Sequence, residues 1–209
     1  MTTFSNLRIA VLFGGRSGEH EVSLTSAKSV LGVLSSRPYQ VFEVGITHEG
    51  VWLTGPGARE KLERGDPDGL VPCTILPDPS RPGLYAIRPT QAGETLDLIT
   101  PLDVVFPVLH GTFGEDGTLQ GLLELADLAY VGAGVVGSSV GMDKGIFKDV
   151  MRAYGLPVVE SLLVLRSEIE KNLDDVIRRA EALAEYPLFV KPANLGSWVE
   201  IVIRRIAPT

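Results

Sequence analysis

The run Leu7-Arg8-Ile9-Ala10-Val11-Leu12-Phe13, apolar at nearly every position and closed by Gly14-Gly15, constrains this chain more than any other segment. A strand that is apolar on both faces has to be covered on both, as a central strand of a parallel sheet is. A polar loop follows. Ser23 then stands placed to cap a helix reaching about Leu34, with Val30, Leu31 and Leu34 spaced for one buried stripe. Gln40 to Ile46 reads as a second strand. Strand, loop, helix and strand in that order favour a right-handed parallel crossover and an α/β fold.

From about Thr47 to Pro101 the pattern loosens into Gly- and Pro-rich sequence with strand-like pieces at Val51 to Leu53 and Leu84 to Arg88. It reads as an insertion elaborating the edge of the sheet. The core resumes at Asp103 to Leu109, a buried strand leading into His110-Gly111. Leu119, Leu122, Leu123 and Ala126 then mark one face of a helix beginning near Gly117. The glycine-rich segment Tyr130 to Gly141 predicts a domain boundary, dividing the chain into 1–139 and 140–209. Beyond it the spacing predicts a helix over Asp143 to Tyr154 and a strand over Val158 to Leu165. Ser167 with Glu170 predicts a boxed helix start reaching about Ala184, and Leu188 to Pro192 predicts a last strand.

Charge narrows the partners. Nineteen basic against 26 acidic side chains leave −7, which disfavours nucleic acid or an anionic membrane while leaving room for a local phosphate pocket. The lone Cys73, in a Pro-rich neighbourhood with no base in view, reads as an unreactive thiol. The chain opens with no basic-then-apolar signal pattern, and no apolar run approaches the ~20 residues of a membrane span. A soluble, cytoplasmic protein is expected.

Four segments carry chemistry. Gly14-Gly15-Arg16-Ser17-Gly18-Glu19-His20-Glu21-Val22-Ser23 joins a buried strand to a helix without the glycine spacing of a dinucleotide fingerprint or the Lys of a phosphate-binding loop. Its carboxylates have an ordinary use at the positive end of the next helix. They also sit where open α/β sheets bind ligands, at the carboxyl end of a strand. Adjacent residues on one loop rarely converge on one ion, so Glu-His-Glu is a poor metal site. His110-Gly111-Thr112-Phe113-Gly114-Glu115-Asp116-Gly117 repeats the arrangement after a second buried strand. His110 by itself suits a structural hydrogen bond as well as catalysis, but two polar loops on one sheet edge favour a shared pocket. Lys144 in Met142-Asp143-Lys144 opposes the dipole of the helix it starts. Lys191 ends an apolar strand before Ala193-Asn194-Leu195-Gly196-Ser197. Two lysines and a Gly-Ser turn suit a triphosphate, which wants point charges and backbone N–H groups.

In this order the four segments closely resemble the D-alanine–D-alanine ligases of the ATP-grasp superfamily, over residues 7 to about 197. The resemblance implies a Rossmann-like, pre-ATP-grasp parallel sheet with helices on both faces, followed by part of an α+β ATP-grasp domain. It implies ATP and D-alanine as substrates, an acyl-phosphate route to D-alanyl-D-alanine for peptidoglycan, Mg²⁺ or Mn²⁺, and a homodimer. Residue by residue, it implies that Glu19 holds the ammonium of the first D-alanine and anchors a hydrogen-bonded group with Ser197. It places His110 beside that substrate, Lys144 and Lys191 on ATP phosphates, and Gly196-Ser197 in the loop over them. D-Alanine–D-lactate and D-alanine–D-serine ligases fit the same residues, as does a non-catalytic binding module.

After Ser197 the family continues Ser-Val-Gly, whereas this chain reads Trp198-Val199-Glu200 and onward to Thr209. The abrupt change suggests a frameshifted or misassembled gene end, with a genuine short variant as the alternative. On this reading the adenine hinge, the oxyanion-stabilising Arg and the metal ligands are missing, and the 209 residues are expected to show no ligase turnover.

Overall fold

The computed structural model describes residues 6–195 and the backbone strand at 201–203. By its internal contacts the chain divides into two compact units between Ser139 and Val140.

The first unit is built on one eight-stranded sheet. Strand β1 (Arg8–Gly14) is followed by α1 (His20–Leu34) and β2 (Gln40–Ile46), which pairs parallel to β1 in register Arg8↔Gln40 through Gly14↔Ile46. Then come β3 (Trp52–Thr54), α2 (Ala58–Glu63), β4 (Val71–Ile75), β5 (Gly83–Thr90), β6 (Gly93–Pro101) and β7 (Val104–Pro107), with α3 (Thr118–Leu125) and β8 (Ala129–Tyr130) last. The spatial order is β6-β5-β4-β3-β2-β1-β7-β8. The strands β2, β1, β7 and β8 are parallel, while β2 to β6 run as an antiparallel meander. The sheet is therefore mixed. The segment expected as an edge elaboration supplies four antiparallel strands and a short helix.

Alternation along β1 explains its wholly apolar sequence. Ile9, Val11 and Phe13 pack with Leu24 and Ala27 of α1 and Ala58 of α2, while Ala10 and Leu12 pack with Leu119, Leu123 and Ala126 around α3. Val11, Leu12 and Phe13 have no exposed surface. Each buried aliphatic or aromatic side chain is worth roughly 1.5–3 kcal/mol, so β1 is where the unit is anchored. By contrast β6, the last strand on its side of the sheet, exposes every residue from Gly93 to Ile99.

Helix α1 starts earlier than the sequence suggests. Ser23 does not cap it: its hydroxyl accepts the Gly14 N–H (2.8 Å) and donates to the Val108 carbonyl (2.6 Å). The sheet takes that oxygen, and the helix begins at His20 with Glu19 at its cap position.

The second unit begins inside α4 (Val135–Met142) and continues through α5 (Lys144–Ala153), α6 (Arg166–Lys171), α7 (Leu173–Glu181), β9 (Leu188–Val190) and β10 (Ile201–Ile203), the last two antiparallel. Asp143 caps α5, its Oδ1 accepting the N–H groups of Gly145 and Ile146, both at 2.9 Å. Two expectations fail. Residues 158–165 form no strand, because no partner lies alongside them among the described residues. The helix expected from Ser167 to about Ala184 is two helices broken at Asn172, whose side chain accepts the Asp175 N–H (3.1 Å) and restarts the chain as α7. The carboxylate closing the first turn of α6 is Glu168, accepting the Leu165 N–H (2.7 Å), not Glu170.

Candidate active site

Strands β1 and β7 are neighbours, but their following helices cover opposite faces of the sheet. Chains that part in this way leave a crevice at the carboxyl ends of the strands, the usual ligand position in open α/β sheets. The loops after β1 and β7 line it, and they carry Glu19 and His110.

The first loop turns through Gly14 (φ +85°) and Gly15 (φ +101°), where a side chain on Gly14 would collide with the Ile46 carbonyl. His20 Nδ1 then donates to the Gly15 carbonyl (2.8 Å), which fixes its tautomer in the neutral ring, and its ring stacks on His48 with centroids 3.9 Å apart. Glu21 is exposed and faces His48 at 3.3 Å. Glu19, by contrast, is buried at 6% exposure. The three consecutive side chains of Glu-His-Glu thus do not converge. Among the described residues no group of three His, Cys, Asp or Glu side chains could hold a metal ion. A metal-binding role does not fit them.

The second loop is held by its own acids. Glu115 accepts the Gly111 N–H (2.7 Å), and Asp116 accepts those of Phe113 (2.8 Å) and Thr118 (3.0 Å). Burial pushes the Asp116 carboxyl upward, but the Phe113 and Thr118 donors outweigh it and leave it below the ordinary range. The two loops meet directly. Ser17 Oγ donates to the His110 carbonyl (2.6 Å) and accepts the Glu19 N–H (3.1 Å), and the Arg16 guanidinium lies 4.7 Å over the Phe113 ring. The His110 ring reaches Ser26 of α1 through Nε2 (3.1 Å).

The Glu19 carboxylate is the outstanding feature. Its Oε2 is buried and has no hydrogen-bond partner among the described residues. A Cβ on Gly111 (φ +71°) would stand 2.6 Å from that oxygen, so glycine there lets the second loop close against it. A buried carboxylate oxygen left unpaired costs about 1–3 kcal/mol or more, and an ammonium group would relieve it. Cys73 offers no competing chemistry, since burial pushes its thiol up to about 12.

In the second unit, Lys144 and the turn after β9 come together. The Lys144 N–H donates to the Ala193 carbonyl (3.0 Å), its Nζ donates to the Leu195 carbonyl, and the Asn194 side-chain amide lies against Asp143 Oδ2, a contact that suits its nitrogen rather than its oxygen. Lys191 opens that turn. Gly196 and Ser197, expected in the phosphate loop, lie outside the described residues, as does Trp198.

Ser17 and Ser26 had no sequence signal beyond being hydroxyls near a glycine-rich loop, and the signal at Ser23 pointed to a helix cap. Their roles come from partners 93, 85 and 84 residues away.

Residues 8–133 match the family described as D-ala D-ala ligase N-terminus, and residues 150–205 match its C-terminus. The second match runs past Trp198, so likeness to the family extends further into the tail than its sequence suggests. The D-alanine–D-alanine ligase of Natranaerobius thermophilus is 48% identical over 196 residues, covering 93% of this chain and 52% of that protein. That of Corynebacterium diphtheriae is 42% identical over 207 residues, covering 96% and 53%. Among solved structures, the VanG D-Ala:D-Ser ligase from Enterococcus faecalis superposes with a TM-score of 0.73 at 34% identity, covering 96% of this chain and 57% of that one. The ligase from Coxiella burnetii gives 0.69 at 35%, covering 96% and 55%. The chain thus spans about half the length of the curated relatives it matches. With more than half the chain matched by the N-terminal family alone, the chain belongs to the D-alanine–D-alanine ligase family.

Proposed function

We propose that this chain carries the first D-alanine subsite and the entry to the nucleotide site of a ligase that joins two D-alanines at the cost of ATP. In that reaction the carboxylate of the first D-alanine takes the γ-phosphoryl group of ATP. The amine of the second D-alanine then attacks the acyl phosphate, and inorganic phosphate leaves as the peptide bond forms. The observation that carries the reading is the buried Glu19 oxygen with no partner among the described residues. Glu19 receives the ammonium of the first D-alanine, and His110 stands beside the same substrate. Lys144 and Lys191 meet ATP phosphates, and Gly196 and Ser197 serve the same nucleotide. Phosphoryl transfer is governed mainly by positioning and charge stabilisation, which lysines and backbone donors supply.

The same reading divides the chain into a ligase N-terminal domain over 1–139 and ATP-grasp sequence over 140–209. It places the protein in the cytoplasm, where ATP is available, with Mg²⁺ as the nucleotide's companion and self-association through the first domain. Among the described residues no helix is long and apolar enough to cross a membrane. The likeness to a D-Ala:D-Ser ligase favours D-serine as the second substrate to try after D-alanine.

The test joins this chain to the second half of the Natranaerobius thermophilus relative and follows phosphate release with ATP, Mg²⁺ and D-alanine. D-Alanine-dependent release is expected. Glu19→Gln is expected to lower kcat/KM by about 10²-fold, as loss of one member of a buried charge pair does. Release that ignores D-alanine, or a Glu19→Gln protein as active as the parent, would sink the proposal. Replacing the second equivalent of D-alanine by D-serine or D-lactate identifies the acceptor.

A further inference from the structure

The Ser17 hydroxyl is used at both ends. Its proton goes to the His110 carbonyl (2.6 Å) and its lone pair takes the Glu19 N–H (3.1 Å). One buried oxygen therefore joins the residue that carries the carboxylate to the residue that carries the imidazole. Ser17 is 7% exposed, and a Cβ on Gly111 would lie 3.2 Å from both its Cβ and its Oγ, so the two loops touch at this point. Elsewhere each loop is braced from its own side: the first by His20 on the Gly15 carbonyl, the second by Glu115 on the Gly111 amide. The Glu19 Oε2 oxygen has no partner among the described residues to locate it, so its position depends on its backbone. That backbone is tied to α1 by its carbonyl, which accepts the Ser23 N–H (3.0 Å), and to the second loop only through Ser17 on its N–H.

We propose that Ser17 is a positioning residue that fixes the Glu19 carboxylate relative to His110, so that one primary ammonium group meets both loops in a single pose. This rests on the reading of Glu19 and His110 as the first D-alanine subsite. Without the hydroxyl, the Glu19 N–H and the His110 carbonyl both lose a partner. The loops are then free to slide across Gly111, and the carboxylate no longer faces a fixed neighbour.

The experiment uses the full 209-residue chain, carbon-13 labelled in glutamate carboxyls and histidine rings, titrated with D-alanine and observed by NMR. In the parent chain the Glu19 and His110 signals are expected to move together. Ser17→Ala is expected to raise the apparent Kd about tenfold, the upper range for one lost hydrogen bond, and to leave Glu19 responsive while the His110 response collapses. Ser17→Cys, nearly the same shape but a weak donor, is expected to behave alike and replaces the alanine variant if that one does not fold. Ser17→Thr, which keeps the hydroxyl, is expected to restore both signals. Asp103→Asn, in the ion pair with Arg8 at the opposite end of the strands, lowers stability but leaves the Kd and both amplitudes unchanged. Parent-like binding with an intact His110 response in both Ser17→Ala and Ser17→Cys would overturn the positioning role. A parent chain in which D-alanine moves neither signal would overturn the subsite reading itself, and this inference with it.

Discussion

Glu19 and His110 could be singled out by eye because charged side chains inside glycine-rich loops are costly to ignore. What the sequence could not show is that Glu19 is buried while Glu21, two residues on, is exposed. That distinction depends on where the second loop lies, and so on contacts about ninety residues distant. Arg8 and Asp103 were silent for the same reason. In the structure the Arg8 guanidinium and backbone N–H grip Asp103 at 2.6 to 2.9 Å, and these bonds, the side-chain one foremost, pull the carboxyl from 3.8 down to about 2. A group whose folded pKa is depressed contributes stability that is complete above its unfolded value and lost as pH falls through the folded one. Asp103→Asn is therefore expected to lower the urea midpoint modestly at pH 7, since the pair is about a third exposed, and to lose that effect as pH falls from about 4 towards 2. A penalty independent of pH across that window would mean that packing, not charge, is what Asp103 contributes.

The legible elements were those whose pattern needs no neighbour to interpret it. Strands β1, β2 and β7 are apolar enough to be read alone, and the face of α3 shows the 3.6-residue period. Strands β4 and β6 were missed. Pro72 interrupts β4 and β6 has almost no buried face, and both lie in Gly- and Pro-rich sequence that hides a short alternation. Their identity comes from pairing with β5. The stretch 158–165 errs in the opposite direction, for it has strand composition with nothing to pair against among the described residues. Ser23 belongs here too, because it joins the ends of β1 and β7 instead of capping α1. Ser23→Ala strands two buried backbone groups and is expected to cost roughly 1–3 kcal/mol of unfolding free energy, read from urea denaturation. A loss below about 0.5 kcal/mol would show that the strand ends hold without it.

The two units differ sharply in how much they bury. The first holds a core of Ala10, Leu12, Val44, Leu84, Val105 and Leu123, all without exposed surface, whereas no residue described from Val140 onward is buried. Apolar faces on α5 and α7 remain open, with Ile146 at 53% and Leu173 at 54% exposure. Local stability follows burial. Backbone amides of β1, β2 and β7 are thus expected to resist hydrogen exchange at least about 10²-fold longer than those of α5 and α7. Equal protection in both units would show that the second is stabilised by something other than its own packing. The cluster of glycines near the junction is visible in the sequence, while this contrast is not, since α5 and α7 have amphipathic sequences. A different matter follows from the long exposed strand β6 at the rim of the sheet. Such a rim offers unpaired peptide groups to any passing chain, and proteins guard it with charge and proline. Here Asp97 stands between Leu96 and Leu98, Glu94 lies beside the turn, and Pro101 closes the strand. Their charge, that of Asp97 shared with Arg88 in an ion pair (3.0 Å), opposes edge-to-edge pairing of a leucine-bearing ribbon, and neutralising both acids is expected to make that rim adhesive.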